Sequence, residues 1–167
     1  PEYLAAIDDR AAMAAMLGLD AAAVSSTPEI WSCGVPFLTV PLARVDALAN
    51  ARLDLEHWRA MLGEAVTQKV YLIARAGDAS WRVRMFAPGL GVAEDPATGS
   101  AAASLAGWLA RHVSVNDGTH RWQLEQGYEM GRPSHIELAL VMNDTQLQTV
   151  RIGGHAVRVA DGEIVDM

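Results

Sequence analysis

A single cysteine, Cys33, in 167 residues excludes an internal disulfide and a cysteine-based zinc site. It falls between strand-like segments and is expected as a buried core thiol, not a nucleophile. Basic residues are also few. Thirteen Lys and Arg stand against 20 Asp and Glu, and the net charge of −7 argues against nucleic acid and acidic membrane as partners. No apolar run is long enough to span a bilayer and no stretch reads as a signal peptide, so the chain is expected to be cytoplasmic. The histidines (His57, His112, His120, His135 and His155) include no i,i+4 pair and no HExxH, so no metal site is expected. The sequence has no P-loop, no G-x-S-x-G elbow and no internal repeat. Gly89-Leu90-Gly91 opens like a dinucleotide fingerprint, but Glu94 occupies the third glycine position and no βαβ unit surrounds it.

What is present is globular: 51% hydrophobic and 20% charged residues, enough for a real core in one domain over 1–167. The chain begins at Pro1 without an initiator Met and is expected to be part of a longer product. A helix is expected over 8–17, stopped by Gly18. Strands follow at 28–33 and 36–42, where Pro36 and Pro41 imply an edge position or a bulge. Asp54 should cap a helix with Leu55, Trp58, Met61 and Leu62 on its buried stripe. Residues 69–75 and 81–86 alternate as a hairpin across the Gly77-Asp78 turn. Further strands are expected at 121–126, around Ile136–Leu140, and at Val150–Ile152 and Val157–Val159 on either side of Gly153-Gly154, with turn chemistry at Asn143-Asp144 and Asp161-Gly162. This is an α+β pattern, short strands around a central helix, not an alternating βαβ sheet.

Residues 84–111 organise the rest. A strand ends at Pro88 and Gly89, a loop rich in Gly, Pro and acid follows, and the helix from Ser100 to Leu109 is apolar on every side, as befits the middle of a core. Thr98 is expected as its N-cap. The first amides of a helix lack intrahelical partners and carry the positive end of the macrodipole. Ala97, Thr98, Gly99, Ser100 and Ala101 therefore form a candidate cradle for a carboxylate or phosphate, with Gly99 allowing close approach. Pro96 biases Asp95 toward an extended conformation beside that cradle. Alternatively, Asp95 and Thr98 merely cap the helix; composition leaves both open. Arg132 is read as a turn cation in preference to a carboxylate partner.

The run Glu94-Asp95-Pro96-Ala97-Thr98-Gly99-Ser100-Ala101, after Phe86-x-Pro88-Gly89-x-Gly91-Val92 and before an alanine-rich helix, resembles the signature of the PhzF family. These are phenazine-biosynthesis-like isomerases of the diaminopimelate epimerase fold. Gly34-Val35-Pro36-Phe37-Leu38, Gln126-Gly127, Met130-Gly131-Arg132-Pro133-Ser134 and Gly153-Gly154 also match. The resemblance implies a two-lobed protein, each lobe a curved, mostly antiparallel sheet around a central apolar helix, with the active site between the lobes. This chain resembles the second, C-terminal lobe alone, the first lobe being absent.

By the same resemblance the parent is a cofactor-independent isomerase of a small carboxylate such as trans-2,3-dihydro-3-hydroxyanthranilate, and a homodimer. Asp95 and Ser100 are then catalytic, with Thr98, Gly99 and Ala101 binding the substrate. The family's glutamate base lies in the first lobe, so this chain alone is expected to be inactive; nothing marks Glu94 as a replacement. A different reading is a non-catalytic module that binds a small carboxylate or a protein partner.

Overall fold

The computed structural model of the chain describes residues 1–113 and 116–163. Its elements are β1 (Glu2–Ala6), α1 (Arg10–Met16), β2 (Glu29–Ser32), β3 (Pro36–Leu42), α2 (Val45–Asn50), α3 (Leu55–Leu62), β4 (Val70–Arg75), β5 (Ser80–Ala87), β6 (Val92–Asp95), α4 (Gly99–His112), β7 (Gly118–Gln126), β8 (Ser134–Asn143) and β9 (Gln146–Gly154). One sheet runs β1-β2-β3-β4-β5-β7-β8-β9, with β6 attached to β5 alone. Pairs β3–β4 and β5–β7 are parallel, and the remaining pairs are antiparallel. This is the α+β class expected, as a curled half-barrel.

Helix α4 explains the curl. Strands β1, β2 and β3 touch it from one end of the sheet, and β8 and β9 from the other. A helix so enclosed has no polar side to spare, and Ala101, Ala102, Leu105, Ala106, Trp108 and Leu109 are all buried. One position sets how closely β2 can lie. A Cβ on Gly107 would stand 2.3 Å from Cε3 of Trp31, well inside contact distance. At the far end of the helix, the buried Glu29 carboxylate accepts from Trp31 Nε1 (2.7 Å) and lies 3.1 Å from His112 Nε2, tying β2 to the last turn.

The outer face of the sheet is covered where β3, β4 and β5 run. Val70, Leu72 and Ala74 of β4 pack outward with Met13, Met16, Leu48 and Leu62, while Tyr71 and Ile73 pack inward around α4. A strand buried on both faces reads as a continuous apolar run. The outer helices start as their sequences dictate. Asp9 Oδ1 accepts from Ala12 N (2.8 Å), and Asp54 Oδ1 accepts from Glu56 N and His57 N (2.9 and 3.0 Å). Among the described residues no helix is long and apolar enough to cross a membrane.

Three expectations need correction. Strand β3 lies inside the sheet, between β2 and β4, not at an edge. Leu38 N donates to Lys69 O on the β4 side, so by alternation the missing N–H of Pro41 faces the β2 side. The β2 ladder stops at Thr39, and beyond it Ser25 N donates to Pro41 O (3.0 Å), so the proline forgoes only the reciprocal bond. Second, β9 is one strand over Gln146–Gly154, and residues 155–163 have no regular structure; Val157 and Val159 are 86% and 89% exposed, without a surface to pack on. Third, the sequence reading misses β1, α2 and β6. Each is short, and α2 buries only Leu48, too little for a period to show.

Candidate functional site

Strand β6 separates the two acids that the motif places side by side. It pairs with β5 through Met85–Asp95 and Ala87–Val92. Successive residues of a strand point to opposite faces. Glu94 therefore turns to the outer layer, where Oε1 and Oε2 accept from Arg84 Nε and Nη2 (2.8 and 2.9 Å). Arg84, 4% exposed, also donates through Nη1 to the carbonyls of Leu48 and Ala51, both at 2.9 Å. Both oxygens of Glu94 are thus committed to structure. Asp95 turns to the α4 side, half-buried, and its Oδ2 accepts from Thr98 Oγ1 at 2.6 Å. Its Oδ1 has no partner among the described residues.

Thr98 stands at the N-cap position of α4, but its side chain does not cap the helix. Its hydroxyl is spent on Asp95, and the reason lies across the sheet. Gln126, fully buried at the end of β7, donates through Nε2 to Asp95 O (2.7 Å) and to Thr98 Oγ1 (2.8 Å), and its Oε1 accepts from Thr98 N (3.3 Å). Gly127 makes room for the loop. Its φ is +79°, and a Cβ there would lie 2.9 Å from Pro96 O and 3.1 Å from Pro96 Cα.

The first intrahelical bond runs from Ala102 N to Thr98 O (3.1 Å), so the amides of Gly99, Ser100 and Ala101 have no backbone acceptor among the described residues. Gly99 and Ser100 are exposed, whereas Ala101 is fully buried. The surface-facing donors of the expected cradle are therefore two amides and the Ser100 hydroxyl. Thr98 is 8% exposed and serves the internal network.

Two further walls flank this helix end. On one side, buried Ser104 accepts from Cys33 N (3.2 Å), with its hydroxyl 3.1 Å from both Val35 O and Ser100 O. That fastens the β2–β3 turn to the first turn of α4. Cys33 is consequently exposed on this turn, not buried as expected. On the other side, a groove of about 420 Å³ runs past Ala97 and Gly99 between Pro133–Ile136 and Ile152–His155. His135 on its rim is 2.8 Å from Gln123 Nε2 through Nδ1 and 3.4 Å from Tyr128 OH through Nε2. Val92, Val35 and Ile152 leave exposed apolar surface around the same junction. Arg132 is exposed, and its amide closes the 127–132 turn onto Gly127 O at 2.9 Å. No three of His, Cys, Asp and Glu cluster to hold a metal ion among the described residues.

The structure thus brings Asp95, Thr98, Gly99, Ser100 and Ala101 into one junction. Gln126 and Ser104 hold it together. In the sequence Gln126 is marked only by the Gln-Gly pair, and Ser104 invites a serine-nucleophile reading that the lack of a G-x-S-x-G elbow sets aside.

Comparison with known proteins gives consistent matches. The family model described as phenazine biosynthesis-like protein matches residues 3–162. An uncharacterized isomerase of Mesorhizobium japonicum is 39% identical over 173 residues, covering 98% of this chain and 57% of that protein. A trans-2,3-dihydro-3-hydroxyanthranilate isomerase of Pseudomonas fluorescens is 37% identical over 137 residues, covering 82% of this chain and 47% of that protein. The chain spans about half the length of these relatives. A Bacillus anthracis crystal structure of the PhzF family superposes with a TM-score of 0.78 at 20% identity, over 92% of this chain and 54% of that one. At that identity the likeness speaks for the fold alone.

Proposed function

This chain belongs to the phenazine biosynthesis-like family, and we propose that it is the substrate-anchoring second lobe of a two-lobed isomerase. The substrate is a small unsaturated carboxylate of the trans-2,3-dihydro-3-hydroxyanthranilate type. Its carboxylate sits on the amides of Gly99 and Ser100 and the Ser100 hydroxyl, where free N–H groups and the helix dipole favour an anion. Asp95 presents Oδ1 to a polar substituent of the ring. A glutamate of the first lobe removes a proton beside the unsaturated system and returns it at another carbon; the double bond moves, and no electron acceptor is consumed. The exposed Val92, Val35 and Ile152 are the surface the first lobe covers, excluding water as it closes.

The observation that carries this reading is the pairing of an oriented carboxylate, free at Oδ1, with two open helix amides in one loop. Glu94 is not the base in this scheme, since both its oxygens are held by Arg84. The test is steady-state kinetics of the full-length parent. Asp95→Asn should lower kcat by about 10²-fold, typical of a positioned catalytic group, and Ser100→Ala should mainly raise KM. Wild-type constants in both variants would refute the assignment. A full-length protein that binds carboxylates at Gly99 and Ser100 and turns over none would be a binding module.

A further inference from the structure

We propose that Gln126 is the positioning residue of this site: through Thr98 it sets the direction of the hydrogen bond that orients Asp95, and it holds the first turn of α4 where its amides meet the anion. The inference rests on the reading of the 95–101 junction as the anion site.

Thr98 N–H can only donate, so the atom of Gln126 facing it is the oxygen. Asp95 C=O can only accept, so the atom facing it is the nitrogen. Both neighbours require the same amide orientation, and a flipped amide would leave two buried mismatches. With its NH2 fixed, Gln126 also donates to Thr98 Oγ1, so that oxygen must accept. The single hydroxyl proton of Thr98 then has one place to go, Oδ2 of Asp95 at 2.6 Å. A side chain far from the motif in sequence, itself with no exposed surface, thereby fixes which carboxylate oxygen is occupied and which is free. A generic core amide would need none of this convergence; here all three polar groups of the loop that face Gln126 are satisfied by it at once.

The experiment is NMR on the 167-residue chain. Amide shifts of Gly99 and Ser100 are followed during titration with sulfate, which remains anionic across the working pH range, in wild type, Gln126→Met, Gln126→Glu, Thr98→Val and Thr98→Ser. Gln126→Met and Thr98→Val should each weaken sulfate about tenfold, the worth of one such hydrogen bond, and Thr98→Ser should bind as wild type does. Gln126→Glu adds a test that a packing role would not pass. Ionised, the new carboxylate faces the Asp95 carbonyl and draws the Thr98 hydroxyl proton to itself. Protonated, it regains a donor, so acidification should bring its affinity toward that of wild type at the same pH, the Asp95 carboxylate being common to both.

Wild-type affinity in Gln126→Met, or a Gln126→Glu profile parallel to wild type, would overturn the proposal. If Gln126→Met fails to fold, the Thr98 pair and Gln126→Glu decide by the same criteria. If sulfate leaves Gly99 and Ser100 unmoved in wild type, the anion-site reading fails instead. The ligand-free chain then judges Gln126 alone: its side-chain NH2 protons and the Thr98 hydroxyl proton should exchange slowly with water, and fast exchange would reject it.

Discussion

Replacing Glu94 by Gln separates a structural acid from a catalytic one. The Arg84 guanidinium, 4% exposed, is held by both oxygens of Glu94 and by the carbonyls of Leu48 and Ala51. Removing one partner of a buried ion pair costs about 3–5 kcal/mol, because the other charge stays behind uncompensated. Gln keeps one acceptor for Arg84, and the Glu94 side chain is 15% exposed, so some water reaches the site. The expected loss is then about 2–3 kcal/mol. At roughly 2–4 °C per kcal/mol for a chain this size, Tm should fall by about 4–12 °C, read by circular dichroism. The double variant Arg84→Met/Glu94→Leu offers an apolar replacement of the pair, which in many proteins restores stability. Here it should not, because it orphans the Leu48 and Ala51 carbonyls that Arg84 satisfies. A Tm change under about 1 °C in Glu94→Gln, or full stability in the double variant, would refute the ion-pair account. In the full-length parent, Glu94→Gln should keep its kcat well below its Tm; lost turnover at unchanged Tm would make Glu94 the base.

Gly107→Ala drives a methyl to within 2.3 Å of the Trp31 ring, and overpacking of this kind should cost about 2–3 kcal/mol; Trp31→Leu in the same chain should recover part of it, and strict additivity in that double-mutant cycle would refute the clash. The Asp54 carboxyl lies below the ordinary carboxylate range, chiefly because the His57 backbone amide donates to it, with the His57 ring and Glu56 amide adding and burial opposing. A depressed folded pKa contributes stability that is present above the unfolded value and lost as pH falls through the folded one. The Tm gap between wild type and Asp54→Ala should therefore be widest near neutral pH and close in acid, and a gap independent of pH would contradict the cap. Exposed Cys33 should react with a thiol reagent in the native chain nearly as fast as in the unfolded one; protection would put it back in the core.

Where the period of a segment matched its burial, the sequence was legible. The all-apolar run after Thr98 could only be a helix enclosed on every side, and α4 is wrapped by both ends of the sheet. The Lys69–Arg75 and Trp81–Phe86 alternations and the Asp54 cap stand where the pattern put them. Errors arose where a local rule met a tertiary fact. Proline is expected at an edge because it cannot donate to a ladder, but at Pro41 the β2 ladder has stopped and the carbonyl alone keeps the pairing, accepting from Ser25 N. Cys33 is apolar enough for a core, but Ser104 fastens its turn to the outside of α4. Val157 and Val159 carry strand propensity without a neighbouring strand to realise it.

The site divides along the same line. Asp95, Thr98 and Gly99–Ala101 are contiguous, so chain order alone brought them together, and Pro96 and the helix start were enough to suggest an anion cradle. Their distinct roles were hidden, because those roles depend on which face each side chain takes. Glu94 and Asp95 are neighbours with nearly the same chemistry. The pleat of β6 sends one to Arg84 and the other to Thr98, and no composition argument distinguishes them until the strand is known. Gln126 is further out of reach, since its contact spans 31 residues and depends on β7 entering the sheet beside β5. The parallel β5–β7 crossover is thus more than topology: α4 is the connection it encloses, and the strand that returns after α4 brings the amide that orients the acid before it.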